Sequence, residues 1–262
     1  MYTRIAKIAL LSSTCLLFSC FLGSSEVVRV AKPADNETPL RALSKAAELF
    51  EKRGDLNKAR EAIDILGKAR NIEDRNYEVE WKFARYSYYL GSRRSLGDNE
   101  IEKVLKQGLE AARIAKRMEP KKPDGYFWYG AILGEQSRRS PVTVGIVSVG
   151  KIKSAMNKVI EIDPDYQGAS AYDALGQVEL ASRGLAGGSA EKALEHLRKG
   201  LELNENNAYV RLHLGEAYLA LNKDAEAKKH LEYIKTMKPS PDFIPEYEEA
   251  LEQAKVLLKT KF

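Results

Sequence analysis

The segment VGIVSVGKIKSA, residues 144–155, sets Gly145, Gly150 and Lys151 at the spacing of a phosphate-binding loop. That loop leaves a strand, enters a helix at its N-terminus, and follows the lysine with Ser or Thr to hold Mg²⁺. Here Ile152 follows Lys151, and Ser154 comes two positions too late. No alternation of strand and helix patterns surrounds the glycines. They read instead as part of an apolar insert between two helices, with Ile152 and Met156 as core positions. The three histidines, His196, His213 and His230, stand 17 residues apart. That interval follows from a repeat rather than from a metal site, and there is no H-E-x-x-H. No Gly-x-Ser-x-Gly elbow occurs, and the carboxylates are spread over helix surfaces. The sequence therefore reads as non-enzymatic, without cofactor or metal.

The two cysteines belong to the chain's start. Arg4 and Lys7 precede an apolar run over residues 8–18, interrupted by Ser12, Ser13 and Thr14. A spanning helix needs about 20 apolar residues, so this run reads as a secretory signal over residues 1–19. It ends in Leu17-Phe18-Ser19-Cys20, which resembles a bacterial lipobox with Cys20 as the site of lipid attachment. Cys15 leaves with the signal, so the exported body carries no free thiol and no disulfide. Residues 20–39, with Gly23, Pro33 and Pro39, read as a tether to a folded body spanning residues 40–262. The net charge of +5 falls to +3 without Arg4 and Lys7. No block of five or six like charges marks a nucleic-acid partner.

From Leu40 onward apolar residues recur at intervals of three and four, the period of helices packed on one face. The clearest unit runs from residue 208 to 239. Gly215 and Ala227 let two antiparallel helices approach, Tyr218, Leu231 and Ile234 fill the seam, and Pro239 ends the second helix. This is the spacing of the tetratricopeptide repeat, whose unit is about 34 residues. Earlier copies carry Gly54, Ala59 and Ile63, then Trp81, Ala84 and Gly108, then Gly130 and Met156, then Gly176 and Leu197. The expected fold is all-α: a right-handed tetratricopeptide solenoid of four to five helix pairs. Loops are expected to be inserted around residues 92–100, 138–150 and 183–189, and a solvating helix after Pro245 to cap the last repeat.

A solenoid's default site is its concave face, lined by the first helix of each pair. In this register the face holds Lys82, Tyr86 and Tyr89, then Phe127, Ala131 and Glu135, then Asp173, Gln177 and Leu180, then Leu212, Glu216 and Leu219. Tyr88 is assigned to the core. The insert residues Val142, Val144, Ile146, Val147 and Val149 are too apolar for an idle loop. They are expected to pack on a helix, wall a cavity, or meet a partner.

With the lipobox, the inserted repeats, GYFWYGAILGE at 125–135 and LAGGSAEKALEHLRKGLEL at 185–203, the chain resembles the tetratricopeptide T-component lipoproteins associated with TRAP transporters. The resemblance implies a periplasm-facing, lipid-anchored protein, with the outer membrane favoured. It also implies docking of a periplasmic solute-binding protein, passage of an apolar ligand, and possible homo-oligomers. It supplies no catalytic residue. The competing class is an assembly scaffold for outer-membrane or pilus machinery.

Overall fold

A computed structural model describes residues 38–262 except Leu185. The signal, Cys20 and the tether up to residue 37 lie outside the described residues. The helices are α1 (Pro39–Glu51), α2 (Leu56–Ala69), α3 (Tyr77–Gly91), α4 (Asp98–Met118), α5 (Asp124–Arg139), α6 (Ile146–Ile162), α7 (Tyr166–Ala181), α8 (Ala190–Leu203), α9 (Ala208–Ala220), α10 (Asp224–Ile234) and α11 (Ile244–Lys261). Consecutive helices pack as five hairpins, α1 with α2 through α9 with α10, and α11 follows. This is the all-α tetratricopeptide solenoid the repeat spacing predicts.

Local chemistry sets the helix starts. Asp55, Asn76, Ser189 and Asn207 each turn a side-chain oxygen onto a free N–H of the first turn, those of Asn57, Val79, Lys192 and Val210. Each such cap contributes about 1 kcal/mol. Close approach inside the hairpins needs glycine at two places. A Cβ on Gly176 would lie 2.5 Å from Leu197 Cγ, and one on Gly215 would lie 2.7 Å from Leu231 Cδ2. Leu197 and Leu231 are fully buried, as are Leu66, Ile132, Met156 and Leu175. Each contributes about 1.5–3 kcal/mol by leaving water.

One of the three expected loops turns out to be helix, and another is shorter than expected. Residues 98–100 open α4, which runs for 21 residues. Residues 138–150 form the end of α5, a π turn (Pro141–Gly145), and the start of α6. Both Val144 N–H and Gly145 N–H donate to the Ser140 carbonyl, at 2.9 and 3.0 Å, so the chain passes from α5 to α6 without leaving helical geometry. Residues 92–97 and the connection between α7 and α8 form loops, the latter with an isolated bridge between Arg183 and Gly188. A mostly apolar run such as residues 146–149 has no strong turn residue to stop a helix, so the helix extends into it.

The first turn of α7 is also unusual. Gln167, Gly168 and Ala169 take left-handed backbone angles, with φ of 53, 63 and 62°. Asn207 Nδ2 holds the Gly168 carbonyl at 2.8 Å. Regular helix therefore starts at Ser170, which sets the rotation of the turn carrying Asp173.

The last helix does more than cap. Ala250 and Ala254 pack fully buried with Leu212, Leu231 and Ile234 of the last pair. Its first turns also reach the opposite end of the array. Arg53, between α1 and α2, donates from Nη2 to the Asp242 carbonyl at 2.5 Å and meets Glu246 Oε2 at 3.0 Å. Arg93, just after α3, meets Glu249 Oε2 at 2.9 Å. Among the described residues no helix is long and apolar enough to cross a membrane.

Candidate partner-binding face

The concave face carries a polar and aromatic line built from one helix after another. On α3 the half-buried positions include Trp81, Arg85 and Tyr88, spaced by four and three. Tyr88 packs on Trp128 of α5, with ring centres 5.7 Å apart. Glu135 follows on α5, Asp173 on α7, Tyr209 and His213 on α9, and Glu249 on α11.

Charge is compensated along this line. Glu135 is buried and accepts from Arg138 Nη2 at 2.6 Å and Arg139 Nε at 2.9 Å. Asp173, also buried, lies 2.6 Å from His213 Nδ1 and accepts from Gln177 Nε2 at 2.7 Å. Tyr209 stacks on the far side of His213, with planes 11° apart. Burial opposes a charge on His213, but the Asp173 carboxylate and its hydrogen bond outweigh it, so the imidazole titrates above its ordinary 6.5. Burial, then the nearby Glu135, pushes the Tyr88 hydroxyl up. Burial, then Glu249, does the same to Tyr209. Both hydroxyls stay protonated at neutral pH. Glu249 Oε2 is close to Arg93 but makes no well-angled hydrogen bond, so this pair holds by charge.

A second knot lies one turn further along the groove. Asp124, at the start of α5, accepts from the Tyr77 hydroxyl at 2.6 Å and the Tyr166 hydroxyl at 2.7 Å. It ties α3, α5 and α7 together. Arg85 lies over the Trp128 ring, 6.0 Å from its centre.

The structure brings Glu135, Asp173, Gln177 and Glu216 to the concave side and moves other expected residues away from it. Tyr86 and Tyr89 are buried, 3 and 6 % exposed, and sandwich Phe50 of α1 by stacking and edge contact. Tyr88, assigned to the core, is the groove residue instead. A helix advances about 100° per residue, so Tyr86 and Tyr88 stand about 200° apart, on opposite sides of α3. Phe127 packs edge-on against Trp128 and Tyr166, and Leu212 is fully buried under α11, so both are core. Lys82 sits at the rim and pairs with Glu78. The insert residues do not join the groove. Val142, Ile146 and Val147 are exposed, and Val144 and Val149 are half-buried, at the tip of the third hairpin. The expected cavity walled by Tyr86, Tyr89, Phe127 and this insert is therefore not formed.

Arg93, Tyr209, His213 and Glu249 are groove residues that the sequence reading does not include. His213 and Tyr209 carry a signal, since they stand one turn apart on a first helix whose other faces are apolar. Glu249 carries none, because its place depends on where α11 crosses the array. Gly150 and Lys151 lie inside α6, where backbone N–H groups already serve the helix and cannot cradle a phosphate. Among the described residues no group of three or more His, Cys, Asp or Glu is placed to hold a metal ion.

The family model described as Regulator of microtubule dynamics protein 1-3 matches residues 42–177, more than half of the chain. The chain belongs to the regulator of microtubule dynamics protein 1-3 family. A tetratricopeptide repeat model matches residues 184–242, so the two matches meet near the α7–α8 loop of this family member. The crystal structure of TTC0263, a thermophilic tetratricopeptide protein of Thermus thermophilus, is 20% identical with a TM-score of 0.59, covering 81% of this chain and 98% of that one. A crystal structure of MamA is 16% identical with a TM-score of 0.48, over 84% of this chain and 96% of that one. No curated protein matches the chain. The TTC0263 likeness shows the tetratricopeptide fold.

Proposed function

We propose that this protein is a non-enzymatic, envelope-tethered adaptor whose concave face binds an acidic segment of a protein partner. The observation that carries the reading is the seating of α11. Arg53 and Arg93, from the first two hairpins, hold the carboxylates of Glu246 and Glu249 at the mouth of a groove lined by Tyr88 and Tyr209. Arginine beside aromatic rings is the composition of interface hot spots. A groove that accepts an acidic helix from its own chain has the chemistry to accept one from another.

The lipobox at residues 17–20 supports a lipid anchor and a periplasm-facing body. The likeness of residues 125–135 and 185–203 to T-component lipoproteins supports a periplasmic solute-binding protein of a TRAP transporter as that partner. The same arginines would take the carboxylate of an organic acid, the kind of cargo a transport component would meet.

Affinity capture of tagged full-length protein from its own cell envelope, after crosslinking, tests this. Mass spectrometry should recover a solute-binding protein, and Arg53→Glu with Arg93→Glu should lose it while the protein stays helical. Capture that the double charge reversal leaves unchanged overturns the groove reading. Recovery of an outer-membrane or pilus assembly complex makes the protein a scaffold instead.

A further inference from the structure

The third hairpin carries a surface that the concave face does not use. Residues 136–160 include Arg138, Arg139, Lys151, Lys153 and Lys158 and no carboxylate of their own; Arg138 and Arg139 pair with Glu135, Lys153 with Glu179 and Lys158 with Glu161, which leaves Lys151 as the unengaged cation of the segment. At their tip, the π turn and the first turn of α6 hold Val142, Ile146 and Val147 in solvent, 78, 45 and 64 % exposed. Single exposed aliphatics are ordinary, but three together mark a contact surface.

The geometry around the tip is consistent. Val147, Lys151, Ser154 and Lys158 fall at intervals of four, three and four, so they share one face of α6. Lys151 is exposed, and with Lys158 and Lys116 it lines a shallow groove below the tip. Lys116 Nζ sits 4.1 Å from the centre of the Tyr129 ring in that groove. On the other side, Arg139 donates from Nη2 to the Gly91 carbonyl at 3.4 Å and pairs with Asp98 at 3.6 Å. These contacts bring the α3–α4 turn, with exposed Arg94, beside the tip.

The charge continues along the whole edge. In a solenoid of antiparallel hairpins the turns within each pair share one edge. Here those turns carry Lys52, Arg53, Arg93, Arg94, Arg183 and Lys223 against the single carboxylate of Asp55. Arg53 and Arg93 are engaged by α11, and the other four are exposed.

Shape and composition distinguish the occupant. Protein interfaces favour aromatic residues and arginine and are poor in lysine. This tip is convex, aliphatic, free of aromatic residues and ringed with lysine and arginine. That is the pattern of a surface that dips its apolar side chains among lipid headgroups and pairs its cations with anionic lipid. We propose that the tip, residues 142–147, inserts into the headgroup region of an anionic bilayer. Lys151 and the free cations of the same edge then lie on the headgroups. The contact is independent of the concave groove and of how the N-terminus is held.

The test uses full-length protein with vesicles of phosphatidylcholine, alone or with one-third phosphatidylglycerol. Both contain a trace of lipid bearing a diazirine in its acyl chain. After illumination, mass spectrometry maps the labelled peptides, and label on residues 1–37 normalises the signal. The tip peptide should be labelled in the anionic vesicles and spared in the neutral ones. Val142→Asp, Ile146→Asp and Val147→Asp together should abolish tip label. Lys151→Ala should lower it about fivefold, the factor equivalent to about 1 kcal/mol for one cation at an anionic surface. Equal tip label in both vesicles, or label confined to residues 1–37, overturns the proposal. So does a chain-to-chain crosslink through Lys151 in the same vesicles without lipid label, which would assign the tip to a second copy.

Discussion

Arg93 just after α3 and Glu249 in the second turn of α11 stand 2.9 Å apart, joining the second hairpin to the last helix across the concave face. Arg53 and Glu246 repeat the link one hairpin earlier, at 3.0 Å. The rest of α11 rests on α9 and α10 through Ala250 and Ala254. The first half of the helix is thus held by packing on one side and by charge on the other.

Breaking the charged end should loosen α11 without unfolding the hairpins. Both glutamates are partly exposed, so water screens each pair to about 1 kcal/mol. Arg53→Ala with Arg93→Ala, removing both pairs, should lower Tm by about 4–8 °C in a domain of this size. Hydrogen exchange should accelerate over residues 244–261 and stay slow in α3 to α8. Unchanged exchange in α11 would show that packing on α9 and α10 alone holds it.

Tyr86 and Tyr88 provide a direct check of the helix register. Tyr86 stacks on Phe50 at 3.7 Å in the core, whereas Tyr88 faces the groove. Tyr86→Ala should cost about 3–5 kcal/mol, measured by chemical denaturation. Tyr88→Ala should cost less and weaken partner capture. The reverse order would restore the register read from the sequence.

That register shows how much is legible in the sequence. Gly176, Ala193, Gly215 and Ala227 sit where hairpins must approach closely, so spacing alone identifies the repeats and the core partners Leu197 and Leu231. Acidic residues on first helices are also legible, as Glu135 and Asp173 show. The aromatic residues of α3 are not. Tyr86, Tyr88 and Tyr89 are chemically alike, and only the position of Phe50 on a neighbouring helix decides which two are buried. The seating of α11 is equally hidden, since it depends on the curvature of the whole array. The insert departs from the repeat and so reads as a loop, yet its apolar residues simply lengthen α5 and α6.

The histidines give stability a pH dependence with two limbs. His213 titrates above 6.5 in the folded state because of Asp173. Its contribution is complete below 6.5 and is lost as pH rises through the folded value. His230, buried against Tyr218 and near Arg211, is pushed down to about 4. Its contribution is present above 6.5 and is lost as pH falls toward 4. Thermal melts should therefore show Asp173→Asn removing the loss above 6.5, and His230→Gln reducing the loss below it. A melt profile that neither substitution alters would contradict both assignments.

The central claim is that partners meet the concave face. The most direct measurement places a photo-crosslinking amino acid at Gln177, exposed one turn from Asp173 in the groove, and at Gln107, exposed on α4 outside it. Full-length protein carrying either is illuminated in its own membranes, and the adducts are identified by mass spectrometry. The account predicts a discrete protein adduct from position 177, competed by a synthetic peptide of α11, and none from position 107. Adducts from 107 with none from 177 would place the partner on the outer face and contradict it.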